Sequence, residues 1–200
     1  MKKLNVLGIS GSPRKNSNTE YLISYALSLF DPSLFQTELI SLRELSIEPC
    51  CGCYSCKVTG KCAQEHDDFD FVYQKMVDAD GLIIGSPVHF SSVHPRLMAL
   101  LDRAGFVRLW RGDRFSGRVG GPITVARRAG HNMALAQLLL WFFINDIVVP
   151  GSSYWTMAVA GAGGARDAGM DEEGLRHIGK FVVNMSTVMM ALPAKKDANS

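Results

Sequence analysis

A 200-residue chain in which 47% of the side chains are hydrophobic is long enough to bury one α/β core, and its composition argues against disorder and against a second domain. The net charge of +2 at pH 7 is balanced and no run of five basic residues occurs, so nucleic acid is not an expected partner. The longest uninterrupted apolar stretch, residues 138–144, is far below the roughly 20 residues that span a bilayer. We therefore expect a single cytoplasmic domain over residues 1–200 that contacts neither nucleic acid nor membrane.

The first strand and the first helix are joined by a strongly polar loop. An apolar run over residues 4–9 predicts the strand, and apolar residues at helical spacing over 22–30 predict the helix. The loop contributes the side chains of Ser10, Ser12, Pro13, Arg14, Lys15, Asn16, Ser17, Asn18 and Thr19. Because backbone N–H groups at a helix start have no intrahelical partner and attract anions, this loop is a predicted phosphate site. The alternative is a simple helix cap, since Ser17-x-x-Glu20 forms a capping box.

Strand and helix patterns then alternate along the chain. Apolar runs predict strands over residues 35–42, 81–85 and 119–126, with a last strand starting at 147–151. Helices are predicted to start at 67–68, to run over 97–104 until Gly105, to cover 132–145 and to start again at 171–173. This alternation predicts an α/β fold, a flavodoxin-like doubly wound five-stranded parallel sheet of order 2-1-3-4-5 with helices on both faces. A solvated or subunit-contacting loop is predicted to carry Arg103, Arg108, Arg111, Arg114 and Arg118.

Three loops are expected to meet at one edge of this sheet. Ligands bind such sheets outside the carboxyl ends of the strands, at the switch point between the first and third strands. The polar loop after Ile9 and the loop from Ser86 to Phe90 end at that point, and the loop from Arg127 to His131 lies beside them. The polar loop matches neither the Walker A motif nor the Gly-x-Gly-x-x-Gly fingerprint. A loop rich in hydroxyls and amides without the P-loop lysine suits a terminal monophosphate ester, and on a flavodoxin-like sheet that ligand is FMN.

All five cysteines lie in one aperiodic insertion loop, at about residues 46–66. Four of them form the pattern Cys50-x2-Cys53-x2-Cys56-x5-Cys62, and Cys51 has no assigned role. Zinc ribbons separate their two cysteine pairs by a dozen or more residues. The tighter spacing here matches loops that wrap a [4Fe–4S] cubane, so these four thiolates are predicted cluster ligands. Reduced free thiols, a zinc site and a redox disulfide remain as alternatives.

Three stretches of the chain carry motifs of a known family. They are Gly8-Ile9-Ser10-Gly11-Ser12-Pro13-Arg14-x-x-Ser17-Asn18-Thr19, Ala79-Asp80-Gly81-x-x-x-Gly85-Ser86-Pro87-Val88-x-Phe90 and Leu100-x-Asp102-Arg103. In these motifs the chain resembles the NADPH-dependent FMN reductase superfamily and, more narrowly, its iron–sulfur flavoprotein branch. The likeness is firm over residues 5–102 and looser over 125–131 and 171–174.

That resemblance implies a role for each loop. Residues 10–19 would hold the FMN phosphate. The isoalloxazine would be lined by Pro87, Val88, His89 and Phe90. Its polar edge or the ribityl chain would be approached by Arg127, Arg128, Gly130 and His131. His89 stands where the family is expected to carry Tyr or Phe, so its imidazole either stacks on or donates to the flavin, or caps the following helix.

We therefore expect an FMN-dependent oxidoreductase in which the cofactor carries the chemistry and no side chain is assigned a catalytic role. With a cluster, electrons would pass between a ferredoxin-like donor, the [4Fe–4S] group and FMN. Without one, NAD(P)H would reduce FMN, which would pass electrons to a quinone or to another small-molecule or protein acceptor. A non-catalytic flavodoxin-like electron carrier and a colourless phosphate-binding regulatory module are the remaining hypotheses. The apolar helix around residues 141–143 predicts a homodimer or homotetramer.

Overall fold

The strands of this protein form a single sheet. The computed structural model describes residues 2–111, 115–161 and 167–192. Its strands are β1 (Leu4–Ser10), β2 (Phe35–Ser41), β3 (Gly81–His89), β4 (Ser92–Val93), β5 (Val119–Ala126) and β6 (Met157–Val159). The sheet order is β2-β1-β3-β5-β6 with all of these pairs parallel, and β4 pairs antiparallel with the end of β3. The predicted doubly wound order is confirmed, since β4 is only a two-residue addition to β3.

Helices cover both faces of the sheet, as predicted. They are α1 (Asn18–Ser28), α2 (Ser55–Thr59), α3 (Phe69–Asp78), α4 (Pro95–Arg111), α5 (His131–Ile144) and α6 (Glu172–Ala191), with 3-10 turns at Leu42–Glu44 and Asp167–Met170. One hydrophobic cluster joins one face of the sheet to α3, α4 and α5. The other joins the opposite face to α1 and α6. The central strands β1, β3 and β5 are therefore buried on both faces, which explains their apolar character.

Close packing of α1 fixes where its N-terminus lies. A Cβ added to Gly8 would come within 2.4 Å of Ile23 Cγ2, and one added to Gly85 within 2.6 Å of Ile23 Cδ1. Both glycines thus let the first helix lie directly on β1 and β3. The N-terminus of α1 is held at the switch point between these two strands.

Two element boundaries differ from the sequence-based expectation. Gly105 does not end α4, which continues to Arg111. A Cβ at Gly105 would lie 3.3 Å from Trp141 Nε1, so the glycine allows α4 and α5 to approach closely. The last strand is Met157–Val159, whereas at 147–151 only Val148 forms an isolated bridge, to Val119.

Two predicted loops are also more ordered than expected. The strand β3 continues through His89, and Phe90 and Ser91 form the tight turn into β4 with positive φ values of 51° and 64°. The predicted arginine-bearing loop is wrong for Arg103, Arg108 and Arg111, which lie on α4. Arg103, Arg108 and Arg118 are buried, and Arg111 is exposed. Arg114 lies outside the described residues.

Candidate functional site

The polar loop between β1 and α1 forms a capped helix start. Ser17 is the N-cap residue, and its Oγ accepts a hydrogen bond of 3.1 Å from the Glu20 N–H. The predicted cap is therefore present. The Ser17 hydroxyl alone is sufficient for this cap. Ser10 Oγ is also buried, and it has no hydrogen-bond partner in the described part of the chain. The loop holds more polar groups than a cap uses.

Three strand-end loops converge on one cavity of about 380 Å³. Its lining from the first loop comprises Ser12, Pro13, Arg14, Ser17, Asn18 and Thr19. The second loop adds Pro87, Val88 and His89, and the end of β5 with the third loop adds Val125, Ala126 and Arg127. Among the described residues that line this cavity there are two arginines and no carboxylate, so the cavity favours an anion. The convergence expected from topology is present.

Several predicted cofactor residues do not line this cavity. Ser10, Lys15, Asn16, Phe90, Arg128, Gly130 and His131 are not part of its lining. Phe90 is fully exposed at the tip of the β3–β4 turn. His131 is buried, and its Nε2 lies 3.0 Å from the Ala158 carbonyl oxygen, so the ring faces β6. Whether these residues touch FMN stays a prediction.

Gly130 positions the third loop beside the second. Its φ of 92° is in the left-handed region that favours glycine, and it precedes α5 as the N-cap residue. An added Cβ would lie 2.9 Å from both Val88 Cγ1 and Ser91 Oγ. The missing side chain therefore lets the two loops pack together at the edge of the cavity.

Sequence reasoning missed the segment after β6. Ala160 and Gly161 line the cavity, and Asp167 ties this segment to the polar loop. The Asp167 carboxylate accepts hydrogen bonds from Asn18 Nδ2 (2.8 Å) and from the Gly161 N–H (2.5 Å). The Ala168 N–H donates back to Asn18 Oδ1 at 3.0 Å. The Asn18 side chain is thus committed to this bridge, and no local pattern signals a pairing across 149 residues.

Two histidines stand together at the second loop. The rings of His89 and His94 meet edge to face with their centroids 5.2 Å apart. Burial, followed by the charges of His89 and Arg96, lowers the pKa of His94. The His94 N–H donates to Ser86 Oγ at 3.0 Å, which fixes the backbone at the start of α4. The lowered pKa favours the neutral form of His94, whose ring lies beside the His89 side chain that lines the cavity.

The cysteine segment forms a second, smaller cavity of about 30 Å³. It is lined by Cys50, Cys51, Gly52, Cys53, Tyr54, Cys56, Cys62, Ala63, Gln64, Arg103, Phe106 and Val107. Positive φ values at Gly52 (66°) and Tyr54 (56°) turn the chain tightly before α2. All five thiols are free, and these turns bring them to one place.

Thiols in this segment affect each other's ionisation. Burial raises the pKa of the Cys56 thiol, and the neighbouring Cys62, Cys50 and Cys53 raise it further. Hydrogen bonds with Ser55 and then with Cys51 lower the pKa of the Cys53 thiol. The four predicted ligands are therefore close enough to interact. In residues 2–111, 115–161 and 167–192, however, no group of three or more Cys, His, Asp or Glu side chains is arranged to hold a single metal ion.

Comparison with protein families indicates the class of this protein. Residues 4–162 match the family described as NADPH-dependent FMN reductase. The chain belongs to this family. An FMN reductase family member is an FMN-dependent oxidoreductase, so the expected enzyme class and the expected cofactor FMN are confirmed. The family's name also points to a nicotinamide donor.

Relatives and solved structures agree with this assignment. An iron–sulfur flavoprotein of Methanocaldococcus jannaschii is 37% identical over 91% of this chain and 97% of its own. An iron–sulfur flavoprotein of Archaeoglobus fulgidus is 29% identical over 92% of this chain and 96% of its own. The crystal structure of RosB with bound 8-demethyl-8-formylriboflavin-5'-phosphate matches 94% of this chain and 79% of its own, with a TM-score of 0.74 at 21% identity. This last likeness shows the flavodoxin-like fold.

One finding concerns membranes. Of the helices in the described ranges, none combines the length and the apolar character that crossing a bilayer requires.

Proposed function

We propose that the cavity between the three strand-end loops is the FMN site, with the phosphate at the N-terminus of α1. The observation that carries this proposal is the cavity itself, which joins a helix N-terminus to two arginines and no described carboxylate. Backbone N–H groups of the first helical turn point toward such an anion. The hydroxyls of Ser12 and Thr19 and the guanidinium of Arg14 supply further donors at the same wall. The buried, unpartnered Ser10 Oγ beneath the loop fits an additional polar role.

The isoalloxazine is assigned to the second loop. Pro87, Val88 and His89 offer an apolar wall with one polar ring, which is the usual mixture in a cofactor site. Arg127 faces them from the third loop and suits the polar edge of the ring or the ribityl chain. When bound, FMN would supply one- and two-electron chemistry, while the protein contributes binding, orientation and the local electric field.

Cys50, Cys53, Cys56 and Cys62 are proposed to hold a [4Fe–4S] cluster. Their thiols line one cavity and interact electrostatically, and soft thiolates are the donor set such clusters need. The two relatives above carry the name iron–sulfur flavoprotein. A bound cluster exchanges one electron at a time, so the chain would pass electrons between a ferredoxin-like donor, the cluster and FMN, and then to an acceptor.

A second candidate function is a cluster-free NAD(P)H-dependent reductase of FMN or of a quinone. The family's description as NADPH-dependent supports it. Under this alternative the cysteines are reduced thiols. NAD(P)H would then be the direct electron donor to FMN.

Anaerobic purification with FMN, iron and sulfide analysis separates the two candidates. We expect about four iron atoms per chain after reconstitution and a broad absorption band beneath the flavin peaks. Cys53→Ser is expected to lose most of this iron, and Cys51→Ser, its neighbour outside the pattern, to keep it. Less than about one iron per chain in the wild type would refute the cluster proposal and leave the cluster-free reductase as the function.

The FMN site has its own test. Ser12→Ala combined with Thr19→Ala is expected to weaken FMN binding about 100-fold or more, because each hydroxyl would donate to a charged phosphate oxygen and such a hydrogen bond contributes roughly 1.5–3 kcal/mol. Ser28→Ala, at the far end of the same helix, is the matched control. Fluorescence quenching of FMN measures both. Equal affinities in the double variant and the control would remove the phosphate from this loop.

We also propose that the chain forms a homodimer or homotetramer through the outer face of α5. Trp141 and Phe142 are buried inside the domain, so they do not form this face. Its exposed apolar side chains are Met133, Leu140, Phe143 and Ile144. A contiguous apolar helix face of this kind marks a protein contact. Leu140→Glu is expected to yield monomers in light scattering, and Met190→Glu on α6 is the control; a wild-type monomer refutes the proposal.

A further inference from the structure

Arg103 is a charged side chain in the core of the domain. It projects from α4 with a side-chain exposure of 0%, and its guanidinium lies 4.1 Å above the centroid of the Phe69 ring. Buried charges are costly unless they are paired and fully hydrogen-bonded. The position of Arg103 therefore needs a physical explanation, which its hydrogen bonds provide.

All five N–H donors of this guanidinium are used. Nε donates to Cys62 Sγ at 3.3 Å. One Nη1 hydrogen goes to the Glu48 carbonyl oxygen at 3.1 Å and the other to Asp67 Oδ2. Nη2 donates to the Gln64 carbonyl oxygen at 2.8 Å and to Asp67 Oδ1 at 3.1 Å. Since an arginine has five such donors in a rigid fork, the site satisfies it completely.

The acceptors lie on both sides of the cysteine run. Glu48 precedes Cys50, while Gln64 and Asp67 follow Cys62. Asp67 also accepts hydrogen bonds from the Glu48 N–H (2.8 Å) and the Phe69 N–H (3.2 Å), so it joins the two ends of the run to each other. The one contact of Arg103 with a thiol is that with Cys62. The cysteine segment is thus fastened at its base to α4.

The charge of Arg103 persists in this environment. A guanidinium stays protonated in proteins, and here the Asp67 carboxylate lies against it as the countercharge. Asp67 is equally enclosed, with 3% of its side chain exposed. One carboxylate balances the guanidinium, and the remaining donors reach two carbonyls and one sulfur.

We propose that Arg103 is a positioning residue for the cysteine segment, which holds the Cys62 sulfur through a charge-assisted hydrogen bond and raises the reduction potential of the cluster that this sulfur ligates. This inference rests on the proposed cluster. A reduced cluster carries one more negative charge than an oxidised one, and a cationic donor at a ligand sulfur stabilises the reduced form. Arg103 also orders the segment before iron is bound, because four of its five acceptor atoms belong to the backbone or carboxylate at the ends of the run.

Arg103→Lys tests this inference, because lysine keeps the charge but lacks the planar five-donor fork. Arg118→Lys is the matched control, since Arg118 is equally buried and donates to the carbonyls of Val77 and Ala79, away from the cysteines. The full chain loaded with FMN is measured before and after reconstitution with iron and sulfide. Hydrogen exchange of peptides over residues 46–66 is followed in the first form, and the cluster potential by EPR-monitored titration in the second.

The expected result is several-fold faster exchange over residues 46–66 and a more negative cluster potential in Arg103→Lys than in Arg118→Lys. Unchanged exchange, or an unchanged potential in the loaded variant, overturns the inference. If Arg103→Lys does not fold, Arg103→Gln combined with Asp67→Asn replaces it, since this neutral pair leaves no unbalanced buried charge. If wild-type protein takes up no iron, the cluster proposal and the sulfur-tuning role fail together, and the exchange result alone decides whether Arg103 holds the segment.

Discussion

Gly85→Ala is expected to damage both stability and FMN binding, because the packing of α1 on β3 leaves no room for a methyl group. The new Cβ would lie 2.6 Å from Ile23 Cδ1 and 3.0 Å from Thr19 Cγ2, and both side chains are buried. Overpacking of a well-filled core costs about 1–3 kcal/mol. For a domain of this size each kcal/mol lowers Tm by about 2–4 °C, so a fall of about 2–12 °C is expected.

The same change should displace the helix start at which the phosphate is proposed to bind. Relief of the clash moves α1 away from the switch point, so FMN affinity should fall along with Tm. Thermal unfolding of the apoprotein and fluorescence titration with FMN measure the two effects. Gly151→Ala is the control, because nothing lies within 4 Å of its added Cβ.

Ile23→Val, combined with Gly85→Ala, tests the same packing contact in a double variant. It removes Cδ1, the atom closest to the new methyl group, and should recover part of the stability lost in Gly85→Ala. A Gly85→Ala protein as stable as Gly151→Ala, or an additive double variant, would refute the packing argument. The reasoning would then be wrong about what holds α1 at the cavity.

Three further changes test other parts of the site. Ser17→Ala removes the α1 cap and should lower the unfolding free energy by about 0.5–2 kcal/mol, whereas Ser17→Asn keeps a capping oxygen and should lose less. Urea unfolding measures both, and equal losses of unfolding free energy in the two variants would contradict this. Gly130→Ala forces alanine to a φ of 92° and should cost about 1–2 kcal/mol, compared by thermal unfolding with Gly151→Ala, and a neutral effect contradicts it. Burial raises the pKa of Asp67, but the hydrogen bond from Arg103 outweighs it, so the pKa is lowered. The stability that the ionised Asp67 contributes is therefore present above about pH 4 and is lost as the pH falls further. Asp67→Asn should therefore lose less stability than wild type between about pH 5 and pH 3, and parallel pH curves would contradict this.

Local patterns were sufficient for the elements that depend on their own residues. The apolar runs of β1 and β5 predicted these strands, because a strand buried on both faces needs apolar residues throughout. Ser17 predicted the start of α1, since a cap is a contact between residues three apart. Asp171 marked the start of α6 for the same reason, and its side chain accepts from the Gly174 N–H. The order of the strands was the one expected for a flavodoxin-like sheet, which the strand–helix alternation favoured.

Boundaries set by tertiary contacts were not predictable. Gly105 is a helix breaker by propensity, yet α4 continues because the glycine lies against Trp141 of α5. The β3 strand extends to His89 because it pairs with β4, two residues that carry no strand signal of their own. In both cases the deciding contact comes from an element elsewhere in the fold.

The same distinction explains what sequence could and could not say about the two cavities. The residues of the polar loop are contiguous, so the sequence alone predicted an anion site there. The cysteines were recognised by their spacing alone. Asp167 and Arg103 instead act across 149 and 41 residues on Asn18 and Cys62. Each uses its charge to fasten one predicted binding segment to a distant element. Within each binding segment, the groups that would touch a cofactor are thus neighbours in sequence, while the groups that hold the segment in place are not.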